Sequence, residues 1–129
     1  MNIPGNLKYT ESNEWLNLEG ETGTIGISDY AQDQLSDIVF AEVIVAEGDS
    51  VKKGDTIATI ESVKAAADVY SPVSGKVVSV NEELSGAPEV INTDPYGAAW
   101  IVKIELSEPG ETDGLLDATA YDKLIQAQH

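Results

Sequence analysis

Cysteine and arginine are both absent from the 129 residues, and histidine occurs once, as the last residue, His129. Without cysteine there is no disulfide, no thiolate metal site and no cysteine nucleophile. A single histidine at the chain end excludes a histidine-based catalytic triad and a histidine zinc site. Cations are scarce: seven lysines stand against 23 carboxylates, a net charge of −16. Nucleic acid is therefore excluded as a partner, because phosphate contacts need clustered positive charge. Long apolar runs are missing too, and none approaches the ~18 residues that a membrane span requires. Met1 leads into polar Asn2-Ile3-Pro4-Gly5-Asn6 with neither an apolar signal core nor an arginine-rich transit segment. These absences read as a chain with no membrane role that works in the cytoplasm, or as a mature form whose address has been removed.

What is present is ordinary for a folded protein: 42% hydrophobic and 23% charged residues, at a length that fits one domain over residues 1–129. The acidity suits docking onto basic patches of larger partners, and equally suits plain solubility.

Short β-rich runs separated by turn signals fill most of the chain. Residues 8–18 contain an extended stretch that ends near Glu19-Gly20, followed by a short strand at 23–28. Ser28 is placed to cap a brief helix over residues 29–35, with Asp29 at its positive end. Residues 38–45 are rich in β-branched side chains. Glu47-Gly48-Asp49 and Lys53-Gly54-Asp55 then give two turn signals that flank Val51, an expected inward anchor. Strands are expected at 56–61, 67–70 and 76–80, with looser chain over 81–92. Residues 100–106 alternate, with Trp100, Val102 and Ile104 on one face and Lys103 and Glu105 on the other. Many short strands in close succession indicate a small barrel or sandwich. Leu115, Leu116, Tyr121, Leu124 and Ile125 fall at helical spacing, which predicts a terminal helix over 113–126 with Asp113 near its start. Trp15, Trp100, Tyr70 and the valines at 77, 78 and 80 are expected in the core.

One segment bears on chemistry: Glu61-Ser62-Val63-Lys64-Ala65-Ala66-Ala67-Asp68. Strand-like runs flank it, so Lys64 falls at or near a hairpin tip, and three alanines keep the approach slim. A lysine there is accessible to acylation, which removes its charge and leaves an amide-linked arm. Taken alone, it also reads as one more surface lysine. No nucleophile–base pair, metal cluster or phosphate loop is visible, so an enzyme is not indicated.

Glu61-Ser62-Val63-Lys64-Ala65 resembles the Glu-Ser-Val-Lys-Ala attachment motif of the glycine cleavage H-proteins. Glu14-Trp15, Gly26-Ile27-Ser28, Ala31-Gln32, Asp37-Ile38-Val39-Phe40, Ser71-Pro72-Val73-Ser74-Gly75, Pro95-Tyr96-Gly97 and Leu115-Leu116-Asp117-Ala118 resemble the family as well, in the same order and over nearly the whole chain. The resemblance implies a mainly β barrel-sandwich hybrid of the lipoyl-domain type, with a short N-terminal helical element and a C-terminal helix. It implies lipoate attached to Lys64 by a lipoate-attaching enzyme. Biotin carriers share the general fold but typically carry Met on both sides of the lysine; Val63 and Ala65 favour lipoate.

A carrier of this kind catalyses nothing alone. The resemblance implies that it takes the aminomethyl group of glycine from a pyridoxal-phosphate decarboxylase (the P-protein) and brings it to a tetrahydrofolate-dependent aminomethyltransferase (the T-protein). It then brings the dithiol to dihydrolipoamide dehydrogenase (the L-protein). A monomer that docks transiently is implied. A carbon held between sulfur and nitrogen is labile, because a free amine lone pair can expel the thiolate and water then removes the carbon as formaldehyde. Protonation and shelter suppress that loss. The positions matching the family's arm contacts are Ser12, Glu14 and Asp68. Ser12 and Glu14 share a face if their segment is extended, and a carboxylate accepts a charge-assisted hydrogen bond from an ammonium.

The sequence departs from the family at Asn13 and Tyr30, where histidine is common. It also departs over residues 43–48, where a proline is lost and one residue is gained. Two other roles remain open at this level: relay of acyl groups from Lys64 to other lipoyl domains, and an acidic interaction module whose Lys64 stays unmodified. Glu61 is either a contact for the attaching enzyme or a plain strand-end carboxylate.

Overall fold

A computed structural model describes residues 2–128; Met1 and His129, the lone histidine, lie outside the described residues. The chain begins with an antiparallel meander of β1 (Lys8–Tyr9), β2 (Glu14–Glu19) and β3 (Thr22–Ile27). Helix α1 (Asp29–Leu35) follows, and Ser28 caps it as its sequence indicates: the Ser28 side chain accepts from Ala31 N at 3.2 Å. Then come β4 (Ile38–Val43), β5 (Ser50–Val51), β6 (Thr56–Ser62), β7 (Ala66–Tyr70) and β8 (Gly75–Val80). The looser stretch holds one 3-10 turn (Leu84–Gly86) and the four-residue α2 (Val90–Thr93). Strand β9 (Val102–Leu106), a 3-10 segment (Pro109–Gly114) and α3 (Ala118–Ala127) complete the order.

The strands form two antiparallel sheets, one in the order β1-β2-β3-β9-β8-β5 and the other β4-β6-β7. This is a barrel-sandwich hybrid with one helix after the opening meander and one at the C-terminal end. The principal core lies between the sheets and includes Leu16, Ile25, Ile57, Ile60, Val77 and Ile104, each at most 1% exposed. Burying each such side chain contributes about 1.5–3 kcal/mol. A second cluster of Leu7, Tyr9, Trp15, Tyr30, Tyr121 and Ile125 attaches α3 to the outer side of the meander. Neighbours on β2 divide between the two: Leu16 points into the barrel and Trp15 into the second cluster, following the period of two.

The two Gly-Asp signals build the same turn twice. Asp49 N donates to Ala46 O and Asp55 N to Lys52 O, while each aspartate carboxylate accepts from the first residue's N–H at 2.9 Å. Gly48 and Gly54 both sit at φ 93, where a side chain would be strained. Val51 between them is buried as expected.

Several expectations are corrected. The extended stretch expected within residues 8–18 is β2, but ahead of it Thr10–Asn13 reverses the chain, closed by Asn13 N to Thr10 O at 3.2 Å, with Asn13 at φ 73. The terminal helix starts at Ala118 rather than at 113. Leu116 exchanges two 2.8 Å backbone hydrogen bonds with Tyr9, which holds that residue extended, and Asp117 rather than Asp113 caps the helix. Val78 is exposed because it alternates with buried Val77; the β8–β9 register slips between Val77 and Ser79, which returns Val80 to the inner face opposite Val102. Tyr70 is likewise exposed, beside a slip in the β6–β7 register, and Val80 and Trp100 are only half-buried. Both still pack against the core, Val80 on the principal cluster and Trp100 on the second, and Trp100 also carries the ammonium of Lys103 over its ring, 5.2 Å from the centroid. Among the described residues, no helix is long and apolar enough to cross a membrane.

Candidate functional site

Strands β6 and β7 pair from Thr56↔Tyr70 to Glu61↔Ala66, and Val63-Lys64-Ala65 lies at the tip of their hairpin. Ser62 ties this tip. Its N–H donates to Ala65 O at 2.7 Å, and its hydroxyl oxygen accepts from Lys64 N and Ala65 N at 3.3 and 3.0 Å. Val63 N donates to Asp37 O at 3.0 Å, anchoring the tip to the chain entering β4. Lys64 and its flanking Val63, Ala65 and Ala66 are exposed. The lysine therefore projects from a defined backbone with no bulky neighbour to block an approaching enzyme. Glu61 is exposed one pair below the tip, between Phe40 and Ala66 on the sheet's outer face.

The three residues singled out as arm contacts meet in one place. A cleft of about 170 Å³ is lined by Ser12, Asn13, Glu14 and Ile27 on one side, by Ala31, Gln34 and Leu35 of α1, and by Ile60, Ala67, Asp68 and Val69 of the lysine-bearing hairpin. Asp68 follows Lys64 by four residues, at most about 13 Å of extended chain. Of three larger open grooves, those of about 610 and 620 Å³ contain none of these residues and the one of about 470 Å³ reaches Ser12 alone; the altered 43–48 segment lines the groove of about 620 Å³.

Glu14 is only 1% exposed. Its Oε1 accepts from the hydroxyls of Thr10 and Ser12, both at 2.6 Å, and its Oε2 accepts from Tyr70 N–H at 3.3 Å. Burial pushes its carboxyl above the usual glutamate range, opposed by these hydrogen bonds. Asp68 is exposed at the rim, opposite Thr59. Of the two departures from histidine, Asn13 lines the cleft, whereas Tyr30 is buried in the second aromatic cluster with its hydroxyl donating to Gln128 Oε1 at 3.4 Å.

Ser12 and Glu14 come together by a different route from the expected one: the reversing turn, not a shared strand face, brings the Ser12 hydroxyl back onto the carboxylate. Sequence reasoning missed Thr10, whose hydroxyl both supports Glu14 and accepts the Glu14 N–H at 3.0 Å. It also missed the α1 wall. The signal for that wall was the spacing of Ala31, Gln34 and Leu35, three and four apart on one helical face.

An apolar-walled cleft with a carboxylate at its base fits a long acyl arm ending in a cation, and the exposed lysine beside it fits the attachment of such an arm. Fold and site together define a small β carrier domain that presents one lysine on a hairpin tip. The sequence model of the glycine cleavage H-protein family matches residues 7–128. A glycine cleavage system H protein from Acidobacterium capsulatum is 52% identical over 128 residues, covering 99% of this chain and 98% of that protein. Another from Symbiobacterium thermophilum is 51% identical, covering 94% of each. The crystal structure of a glycine cleavage system H protein from Mycobacterium marinum superposes with a TM-score of 0.87 at 32% identity, over 96% of this chain and 99% of that one. The chain belongs to the glycine cleavage H-protein family: it is a lipoyl-carrier subunit of glycine cleavage and not itself an enzyme.

Proposed function

We propose that Lys64 carries lipoate in amide linkage, and that the loaded arm folds into the cleft where Ser12, Glu14 and Asp68 hold the amine of its cargo. The observation that carries this reading is the shared hairpin: the strand that leaves the exposed lysine also contributes Asp68 and Val69 to the cleft wall. The family match over residues 7–128 supports reading residues 1–129 as one carrier domain.

When bound, lipoate would supply a ring disulfide, the redox and group-accepting chemistry for the aminomethyl group of glycine. The protein's own residues do the rest. Glu14 is a buried carboxylate with three neutral donors and, among the described residues, no cationic hydrogen-bond partner, so an ammonium entering the cleft gains a charge-assisted hydrogen bond. Pairing of that kind holds the proton on nitrogen, and the lone pair that would expel the thiolate stays occupied. Ser12 and Thr10 fix the carboxylate so that little reorganisation is needed. Ile27, Leu35, Ile60 and Val69 exclude water from the arm.

The tether raises the effective concentration of cargo at each partner's site. The partners in this reading are the glycine decarboxylase, the aminomethyltransferase, dihydrolipoamide dehydrogenase and a lipoate-attaching enzyme. The net charge of −16 steers the carrier toward basic faces on them.

The test is peptide-resolved mass spectrometry of the protein after incubation with a lipoate-attaching enzyme, beside the Lys64→Arg variant. A lipoyl increment on the peptide containing Lys64, absent in the variant, is expected. Modification of any of the other six lysines instead, or none while a control lipoyl domain is modified, overturns the reading.

A further inference from the structure

The two fixed walls of the cleft are joined behind it by a chain of hydrogen bonds that passes through α3. Ala31 N donates to Ser28 Oγ at 3.2 Å, Ser28 Oγ lies 2.6 Å from Tyr121 Oη, and Tyr121 Oη donates to Asn13 Oδ1 at 2.9 Å. The tyrosine has one hydroxyl proton, and it goes to Asn13; Ser28 must therefore donate to Tyr121, which leaves the Ser28 lone pairs for the Ala31 N–H. The direction of the whole chain is fixed, and each bond polarises the next. Ser28 and Tyr121 are fully buried, so no water competes. The backbone adds a parallel link, Ser28 N to Asn13 O at 2.9 Å.

The residues joined are the ones that set the cleft's shape. Asn13 lines the cleft, sits in the left-handed region at φ 73, and lies between Ser12 and Glu14. Ser28 caps α1, whose Ala31, Gln34 and Leu35 form the facing wall. Tyr121 itself does not line the cleft. Its ring stacks on Tyr9 at 4.5 Å with planes 3° apart, which holds the hydroxyl in place.

We propose that Tyr121 is a positioning residue for the cargo-binding cleft: through Asn13 and Ser28 its hydroxyl fixes the distance between the Ser12–Glu14 turn and helix α1. This inference rests on the proposed docking of the arm in the cleft and deepens it by assigning the C-terminal helix a part in cargo retention.

The experiment compares Tyr121→Phe, Asn13→Ala, Tyr9→Phe and Glu14→Ala with the wild-type protein. Tyr9→Phe is the control for plain structural damage. Its hydroxyl donates to Pro4 O at 2.6 Å in the same aromatic cluster and touches neither wall. Two readouts are taken well below the unfolding temperature: methyl NMR shifts of Leu35 and Val69 in the unmodified protein, and the rate of formaldehyde release from loaded protein. Tyr121→Phe and Asn13→Ala are expected to shift both methyl groups and to speed release about fivefold, the worth of one lost buried hydrogen bond. The double variant is expected to be no worse than either alone, and Tyr9→Phe to change neither readout. If Glu14→Ala speeds release while Tyr121→Phe behaves like Tyr9→Phe, the brace is wrong and the cleft reading stands. If Glu14→Ala leaves release unchanged, both fall.

Discussion

The hydroxyl of Ser12, inside the Thr10–Asn13 reversal, donates at 2.6 Å to Oε1 of Glu14, the first residue of the strand that follows. This contact converts a buried carboxylate into an oriented one. It presents negative charge to the cleft from a scaffold that also fixes the lysine-bearing hairpin.

That carboxylate leaves a signature in the pH dependence of folding. Burial raises its folded pKa above the unfolded value of about 4.3. The unfolded state then binds fewer protons than the native state between the two values, so stability falls as pH rises through that window. The contribution is fully present below about pH 4.3 and lost above the raised folded value. In Glu14→Gln this component is expected to vanish. Urea unfolding of both proteins across the acid range checks it; equal pH slopes would show that burial does not perturb Glu14.

Ser62 organises the tip from which Lys64 projects. Ser62→Ala removes the acceptor for two N–H groups in an exposed loop. The loss of about 1 kcal/mol of local order is expected to slow lipoylation about fivefold, with an unchanged far-ultraviolet circular dichroism spectrum. A lipoylation time course measures it.

Asp117 accepts from Ala120 N at 2.8 Å as the cap of α3. Asp117→Ala is expected to cost about 1 kcal/mol and to lower Tm by about 4 °C. Lipoylation is expected to stay at the wild-type rate, because the cap lies on the second core and not on the β6–β7 hairpin. Differential scanning calorimetry and the same time course separate the two effects.

Local chemistry made much of this legible. Ser28 before Asp29, the Gly-Asp pairs and the alanines around Lys64 each carry their own turn or cap signal, and the structure places them accordingly. The Thr10–Asn13 reversal was hidden because it contains neither Gly nor Pro; an asparagine takes the left-handed position instead. The sequence leaves the start of α3 open because Asp113 and Asp117 are both acceptable caps, and only the pairing of Leu116 with Tyr9 decides between them. The resemblance points to Ser12, Glu14 and Asp68, and the fold brings these three to one cleft. The wall that closes the cleft, and the Tyr121 link behind it, join residues 13, 28 and 121, and no local pattern in the sequence brings those together.

The most direct test of the account is the retention of glycine-derived carbon by loaded protein, timed as formaldehyde release from wild type and from Glu14→Ala. Removing a charge-assisted hydrogen bond of about 1.5–3 kcal/mol is expected to accelerate release about 10- to 100-fold. An unchanged rate, with loading shown to be complete in both proteins, would contradict the claim that this cleft shelters the cargo of Lys64.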